Sequence, residues 1–243
     1  MRDSLTDNTY DIKAEGLGKS FGPVEALRGI DISVKKGEFY TLFGPNGAGK
    51  TTFIKILSTL AKPSSGKLTI AGHDAVKDPD GVRGVTGVVS HDPFLYENLS
   101  AFENIKFFGT MHGVHDADGR AAELIDRIGL GKRMHDLVRN FSRGMKQRLA
   151  VARAIVHDPG ILLLDEPYTG LDQHGAGVFG EMLSMLKSDR RTILMTTHNI
   201  EEGLDRSDRV GILAGGRIVY ESPREGLDRE AFREIYISRV GDA

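Results

Sequence analysis

Apolar residues recur along this chain with two different periods, and the change between them divides it. From residue 10 to 43 they come in short runs punctuated by Gly16, Gly18, Gly22, Gly29 and Gly37, a pattern of short strands joined by turns. The clearest run is Glu38-Phe39-Tyr40-Thr41-Leu42-Phe43, aromatic and β-branched, stopped by Gly44-Pro45. Phe53, Ile54 and Leu57 then share one face of a helix predicted to begin at Gly49 or Lys50. Residues 66–70 and 87–90 read as further strands. Between 100 and 156 the period becomes helical: Ala121, Leu124, Ile125 and Ile128 recur at steps of three and four, with Gly129 as a natural stop. Ser142 is placed to cap the next helix, whose stripe is Met145, Leu149, Ala152 and Val156.

The run Ile161-Leu162-Leu163-Leu164 is too short for a helix and reads as a strand buried on both faces of a parallel sheet. A helix through 179–186, a strand over 192–197 and a hairpin at Gly215-Gly216 complete an α/β core. The segment 224–237 predicts an amphipathic helix carrying Leu227, Phe232, Ile235 and Tyr236. There is no internal repeat.

Composition narrows the chemistry. The chain has 243 residues, with 32 Lys plus Arg against 34 Asp plus Glu, a net charge of -2 and no cysteine. That balance argues against a broad nucleic-acid or anionic-membrane surface, and zero Cys excludes disulfides, thiolate metal sites and cysteine nucleophiles. The longest stretch without a charge, residues 39–49, is eleven positions and rich in glycine, far short of the ~18 apolar residues of a spanning helix. The first eleven residues lack the apolar core of a secretory signal, so a cytoplasmic protein is expected. Gly numbers 30, roughly twice ordinary usage.

Part of that excess has a clear purpose. Gly44-Pro45-Asn46-Gly47-Ala48-Gly49-Lys50-Thr51 satisfies G-x-x-x-x-G-K-[ST] between a predicted strand and a predicted helix. Its glycines let successive N–H groups turn inward as a nest for phosphate oxygens, and the helix N-terminus adds free donors. Lys50 supplies charge to the β and γ phosphates and Thr51 a hydroxyl for Mg²⁺. The buried strand at 161–164 ends in Asp165-Glu166-Pro167, where acids stand beyond the carboxyl end of a sheet. Asp165 suits Mg²⁺, through water, and Glu166 suits a base for the attacking water. Thr196-Thr197-His198 closes another core strand, with His198 positioned for a γ-phosphate contact. Asp172 reads as a helix cap that can also serve an interface. His112 and His115 have no third ligand nearby in sequence, so no metal other than nucleotide-bound Mg²⁺ is expected.

These motifs, in this order, resemble the nucleotide-binding subunits of ATP-binding-cassette (ABC) transporters over residues 12–220. Asn140-Phe141-Ser142-Arg143-Gly144-Met145-Lys146-Gln147-Arg148 looks like the family signature, usually L-S-G-G-Q. The resemblance implies a single ABC ATPase domain of the P-loop α/β type, with a mainly parallel core sheet, an antiparallel β subdomain and an inserted helical subdomain. Residues 10–90 and 158–221 would form the β subdomain and RecA-like core, 92–157 the helical subdomain, and 222–243 a terminal helix. By position, Phe21 matches the adenine-stacking aromatic, and residues 44–52, including Thr52, match the phosphate loop. Asp165 matches the magnesium acid, Glu166 the catalytic base, Asp172 the dimer-crossing loop aspartate and His198 the switch histidine.

The resemblance further implies ATP and Mg²⁺, a second nucleotide-binding subunit in a head-to-tail dimer with Ser142, Arg143, Gly144 and Met145 contacting ATP in trans, and transmembrane permease subunits at the cytoplasmic face. No nucleic-acid partner is implied. The alternative is a soluble ABC-type ATP switch not coupled to a transporter, which usually shows a second cassette, a heptad insertion or a basic surface. Two residues depart from the family pattern. His91 stands where a glutamine is usual, an imidazole in place of an amide, and the signature carries Arg143 for glycine and Met145 for glutamine. In wording, Val88-Val89-Ser90-His91 and Phe141-Ser142-Arg143-Gly144-Met145 are similar to the haem-exporter ATPase subunit of cytochrome c maturation. Of Phe94, Leu95, Tyr96, Phe102, Phe107 and Phe108, most are expected in the core and two at a docking face for the membrane partner.

Overall fold

A computed structural model describes residues 9–241. The chain opens with an antiparallel hairpin, β1 (Tyr10–Phe21) and β2 (Val24–Lys35). Each strand is twelve residues long, where the glycine spacing predicts several short strands. Gly16 and Gly29 sit at positive φ where the pairing register slips between Ala14 and Leu17 and between Leu17 and Lys19, so these glycines bulge the strands rather than end them. Only Gly22 makes the turn, between the paired Phe21 and Val24. β4 (Ser65–Ile70) and β5 (His73–Asp74) complete a four-stranded sheet in the order β2-β1-β4-β5.

The second sheet carries the chemistry. It contains β3 (Phe39–Phe43), β6 (Thr86–Val89), β7 (Ile161–Asp165), β8 (Thr192–Thr197), β9 (Arg209–Ala214) and β10 (Arg217–Pro223), ordered β10-β9-β3-β8-β7-β6. All pairs are parallel except β10 with β9, which is the hairpin at Gly215-Gly216. Every residue of β3, β7 and β8 is buried, which explains their unbroken apolar or small-polar composition. Phe43 pairs with Thr197 and Asp165 with Thr196, so three strands end at one level along one edge.

Helices cover the sheet. α1 (Lys50–Leu57) follows β3, and α2 (Pro79–Val85) precedes β6. Between β6 and β7 lie α3 (Ala101–Met111), α4 (Ala117–Arg127) and α5 (Arg143–Ala154). Ser100 and Glu103 close a reciprocal capping box at α3, and Gly129 follows α4 at positive φ, as a stop should. Ala121, Leu124, Ile125, Leu149 and Ala152 join one apolar cluster with the sheet residues Leu162 and Ile193. Val156, expected on the stripe of α5, is buried in the loop just past it.

α6 (Gln173–Ser188) and α7 (Ile200–Leu204) follow β7 and β8, and α8 (Arg229–Gly241) closes the described chain. The last helix starts five residues later than its sequence pattern predicts, leaving Leu227 in the preceding loop. Phe232 is its one fully buried residue, 4.8 Å from the ring of Phe43. Among the described residues no helix is long and apolar enough to cross a membrane.

Candidate nucleotide site

The common strand edge builds the site. Gly44 leaves β3, Glu166 leaves β7 and His198 leaves β8, and their loops wall one cleft with Asn46, Lys50, Thr51, Thr52 and Asp165. The loop from Gly44 to Lys50 needs its last glycine: Gly49 has φ +108, and a Cβ there would come 2.6 Å from the carbonyl oxygen of Ala26. Pro45, Asn46 and Gly47 line the cleft, whereas Ala48 turns its methyl into the core.

Lys50 is 5% exposed, and its Nζ donates to the carbonyl oxygens of Gly44 at 2.6 Å and Pro45 at 3.0 Å. Its third contact is Glu166 Oε1, also at 3.0 Å. The other oxygen of Glu166, Oε2, lies 2.8 Å from His198 Nδ1. Because a carboxylate accepts, Nδ1–H is the donor, and Nε2 is the ring atom left to face the cleft. Glu166 has φ +50, an unusual backbone for a non-glycine residue, and its N–H is held by Thr196 O at 3.0 Å.

Asp165 is buried, and one carboxylate oxygen accepts from Thr196 Oγ1 at 2.7 Å. Nearby, burial raises the Glu202 carboxyl, with the charge of Glu166 adding to the rise and His198 opposing it. Burial likewise raises the Tyr236 hydroxyl on α8, and Glu166 contributes to that shift.

Other sequence-derived candidates lie elsewhere. Phe21 is 55% exposed at the tip of the β1–β2 hairpin, with Lys19 Nζ 4.8 Å from its ring centroid, and does not wall the cleft; Ala26 of the same hairpin does. Ser142, Arg143, Gly144 and Met145 line a second cleft with Asp172, and that cleft shares no residue with the first. Ser142 accepts from Met145 N–H at 3.3 Å and Asp172 from Gly175 N–H at 2.8 Å, so both cap helices. The Arg143 guanidinium lies against Gly170, where φ is +75 and a Cβ would sit 2.3 Å from Arg143 Cζ. His91 lines the nucleotide cleft and also a hollow reaching Arg143.

Sequence reasoning missed Ala26, Lys55, Ser90, Asp92, Phe94 and Thr169 as walls, and Thr196 as the residue holding Asp165. A signal existed for Thr196 alone, in the hydroxyls that interrupt an otherwise apolar strand.

A strand edge bearing a phosphate-binding loop, with a lysine, an acid pair and a histidine converging on it, defines a P-loop nucleotide-binding protein. The ABC transporter family model matches residues 27–169. The ABC transporter ATP-binding protein NatA of Bacillus subtilis is 38% identical over 207 residues, 84% of each chain. The lantibiotic transport ATP-binding protein SrtF of Streptococcus pyogenes is 34% identical over 94% of this chain and 97% of its own. Daunorubicin resistance ATP-binding protein DrrA3 of Streptomyces coeruleorubidus is 36% identical, covering 90% of this chain and 70% of its own. In structure, the ATP-binding cassette MJ0796, a dimer in a post-hydrolysis state bound to ADP and Pi, superimposes with TM-score 0.80 at 27% identity, over 89% of this chain and 100% of that one. The chain belongs to the ABC transporter ATP-binding family. The haem-exporter likeness rests on two short stretches alone.

Proposed function

We propose that the chain hydrolyses ATP and drives transport through a separate membrane subunit by ATP-dependent closure of two copies. The carrying observation is Glu166, whose two carboxylate oxygens contact Lys50 and His198 at 3.0 and 2.8 Å inside the phosphate-loop cleft. A carboxylate so fixed can orient a water in line with a γ-phosphate and accept its proton. Lys50 then transfers its charge from Glu166 to the β and γ phosphates, and His198 turns Nε2 toward the departing phosphoryl group.

Thr51 and Asp165 fit Mg²⁺. They are hard oxygen donors and only two, as suits an ion that keeps water and substrate phosphates in its shell. Held there, Mg²⁺ would supply charge neutralisation for the triphosphate.

The second copy is supported by the separation of the two clefts. Within one chain, Ser142 and Gly144 have no wall in common with Lys50, so their helix N-terminus serves a phosphate held by another subunit. The dimeric form of the structural relative supports the same reading. Daunorubicin resistance and lantibiotic transport are named in two relatives, so a compound of that kind is the cargo their likeness favours, and work with a membrane subunit implies a peripheral place at the cytoplasmic membrane face. Exposed Phe94, Tyr96 and Phe107, three residues rather than two, support a partner face beside the nucleotide cleft.

Turnover of the purified chain against Glu166→Gln tests the scheme. Loss of about 10²–10⁴ in rate is expected for the variant, and equal turnover would exclude Glu166 as the base.

A further inference from the structure

One turn of chain divides the nucleotide cleft from the cleft at the start of α5. Thr169 lines the first, and Gly170, Leu171 and Asp172 line the second. The turn begins at Glu166, whose carbonyl accepts from Thr169 N–H at 3.1 Å, and Leu171 N–H closes back on Tyr168 O at 3.0 Å. It is pinned at both ends, by Glu166 N–H on Thr196 O of β8 and by Asp172 as the cap of α6. Glu166 and Gly170 both have positive φ, +50 and +75, so the chain folds tightly between the base and the far wall.

Arg143, the first residue of α5, presses on the middle of that turn. A Cβ on Gly170 would lie 2.3 Å from Arg143 Cζ, 2.5 Å from Nε and 2.6 Å from Nη1. Because Cζ is the nearest of the three, the missing Cβ lies over the face of the guanidinium and not at its edge. The guanidinium plane therefore stacks on Gly170, a contact that a side chain at 170 would forbid. Leu171 adds a second contact, its Cδ2 lying 3.9 Å from where a Cβ on Gly144 would be. Tyr168 is buried with its ring edge-on to Phe179 at 5.1 Å, so the turn cannot yield into the core.

The charge of Arg143 has no other engagement. The residue is exposed and has no hydrogen bond or ion pair among the described residues. It stands in the first turn of a helix with no acid there, where a cation opposes the helix dipole. Nothing local in α5 favours arginine at this position, and the surface that receives the side chain is Gly170.

We propose that Arg143 is a positioning residue for the Glu166 of its own chain, joining the start of α5 to the turn that carries the base. This rests on the two-copy reading above. A phosphate of the partner's nucleotide at Ser142 and Gly144 draws the first turn of α5, and the stacked guanidinium carries that displacement into Gly170. Tyr168 bars movement into the core, so the turn shifts along the chain toward Thr169 and Glu166. Occupancy of one nucleotide site thereby sets the base of the other. The family resemblance gives Arg143 to ATP in trans; its stack on Gly170 gives it to the base in cis. Lysine cannot replace it, because an ammonium has no plane to stack.

Mixed dimers of two differently tagged copies of the full chain, purified through both tags, separate the two roles. Glu166→Gln in one copy leaves a single working base. With Arg143→Ala in the copy that keeps Glu166, turnover is expected to be roughly fivefold or more below that of the dimer carrying Arg143→Ala in the other copy. Both dimers carry the same two substitutions, so a folding defect does not mimic the difference. The reverse order would assign Arg143 to the partner's nucleotide, and equal rates would leave it no role in either site; each overturns the inference while the two-copy reading stands. In the dimer of two R143A copies, turnover against ATP concentration should lose the sigmoidal shape of the wild type, which a merely structural role would not remove. A wild-type curve without that shape, or one that R143A leaves unchanged, also overturns the inference. Arg143→Lys should behave as Arg143→Ala, and recovery of wild-type turnover by lysine would show that charge matters and the stack does not. If no ATP-dependent pair of copies forms, the two-copy reading falls and the inference with it.

Discussion

Lys50 Nζ and Glu166 Oε1 stand 3.0 Å apart, although the first opens α1 after β3 and the second lies in the loop after β7. Both side chains are largely buried, so removing either would leave the other charge uncompensated, and neither charge is free. A phosphate entering the loop must compete with Glu166 for the same ammonium.

That competition sets the first prediction. Glu166→Gln removes the rival carboxylate from Lys50, so ATP affinity should rise several-fold even as turnover collapses. A fluorescent-nucleotide titration of the non-hydrolysing variant checks it. Affinity equal to or below wild type would show that Lys50 does not exchange partners.

Thr196 supplies the second. Its hydroxyl holds Asp165 in the core at 2.7 Å, and Thr196→Val removes that donor while keeping the shape. A buried carboxylate losing a hydrogen bond costs about 1–3 kcal/mol of stability, and the mis-set acid should raise the Mg²⁺ concentration needed for half-maximal hydrolysis. Chelating Mg²⁺ should abolish turnover in both proteins. An unchanged Mg²⁺ titration would separate Asp165 from the ion.

His157, stacked on the ring of His112, provides a pH test. Its pKa is about 4 in the fold against an ordinary value near 6.5, so the unfolded chain takes up a proton that the folded chain refuses. Stability attributable to this residue is therefore intact above about pH 6.5 and declines as pH falls toward 4, by less than the full shift implies because the ring keeps partial access to water. His157→Gln, which can still donate to Thr86, should lose less stability over that interval. Melting curves of both proteins at pH 7 and pH 4.5 give the difference.

Phe232 gives a prediction about stability alone. It is the sole fully buried residue of α8, packed 4.8 Å from Phe43 at the end of β3. Phe232→Ala should cost about 3–5 kcal/mol and lower the melting temperature by on the order of 10 °C. Turnover well below the transition should stay near wild type, since the apolar cluster around Phe232 includes none of the residues that line the cleft. A large rise in KM for ATP would instead show that α8 holds the phosphate loop in shape.

Contiguous features were legible in the chain because they report local backbone demands. Gly44 to Thr51 spells out a loop and helix start, Ile161 to Asp165 a doubly buried strand, and Ser142 a cap, each within a few residues. The β1–β2 hairpin was misread because a bulge glycine and a turn glycine leave the same mark; only the pairing partner distinguishes them. The start of α8 was misplaced for a similar reason, since Leu227 packs from a loop with helix-like spacing.

What the sequence determined by itself was the chemical inventory: a phosphate nest, a lysine, two acids and a histidine, each at the end of a strand or the start of a helix. The tertiary structure decided which of them meet. The order β3-β8-β7 brings Lys50, His198 and Glu166 to one edge and sends Ser142 and Asp172 to a different cleft. Periodicity and propensity act over a turn or two of chain, whereas strand order and helix packing arise from burying the whole apolar surface at once. The pairing of charges is settled only there.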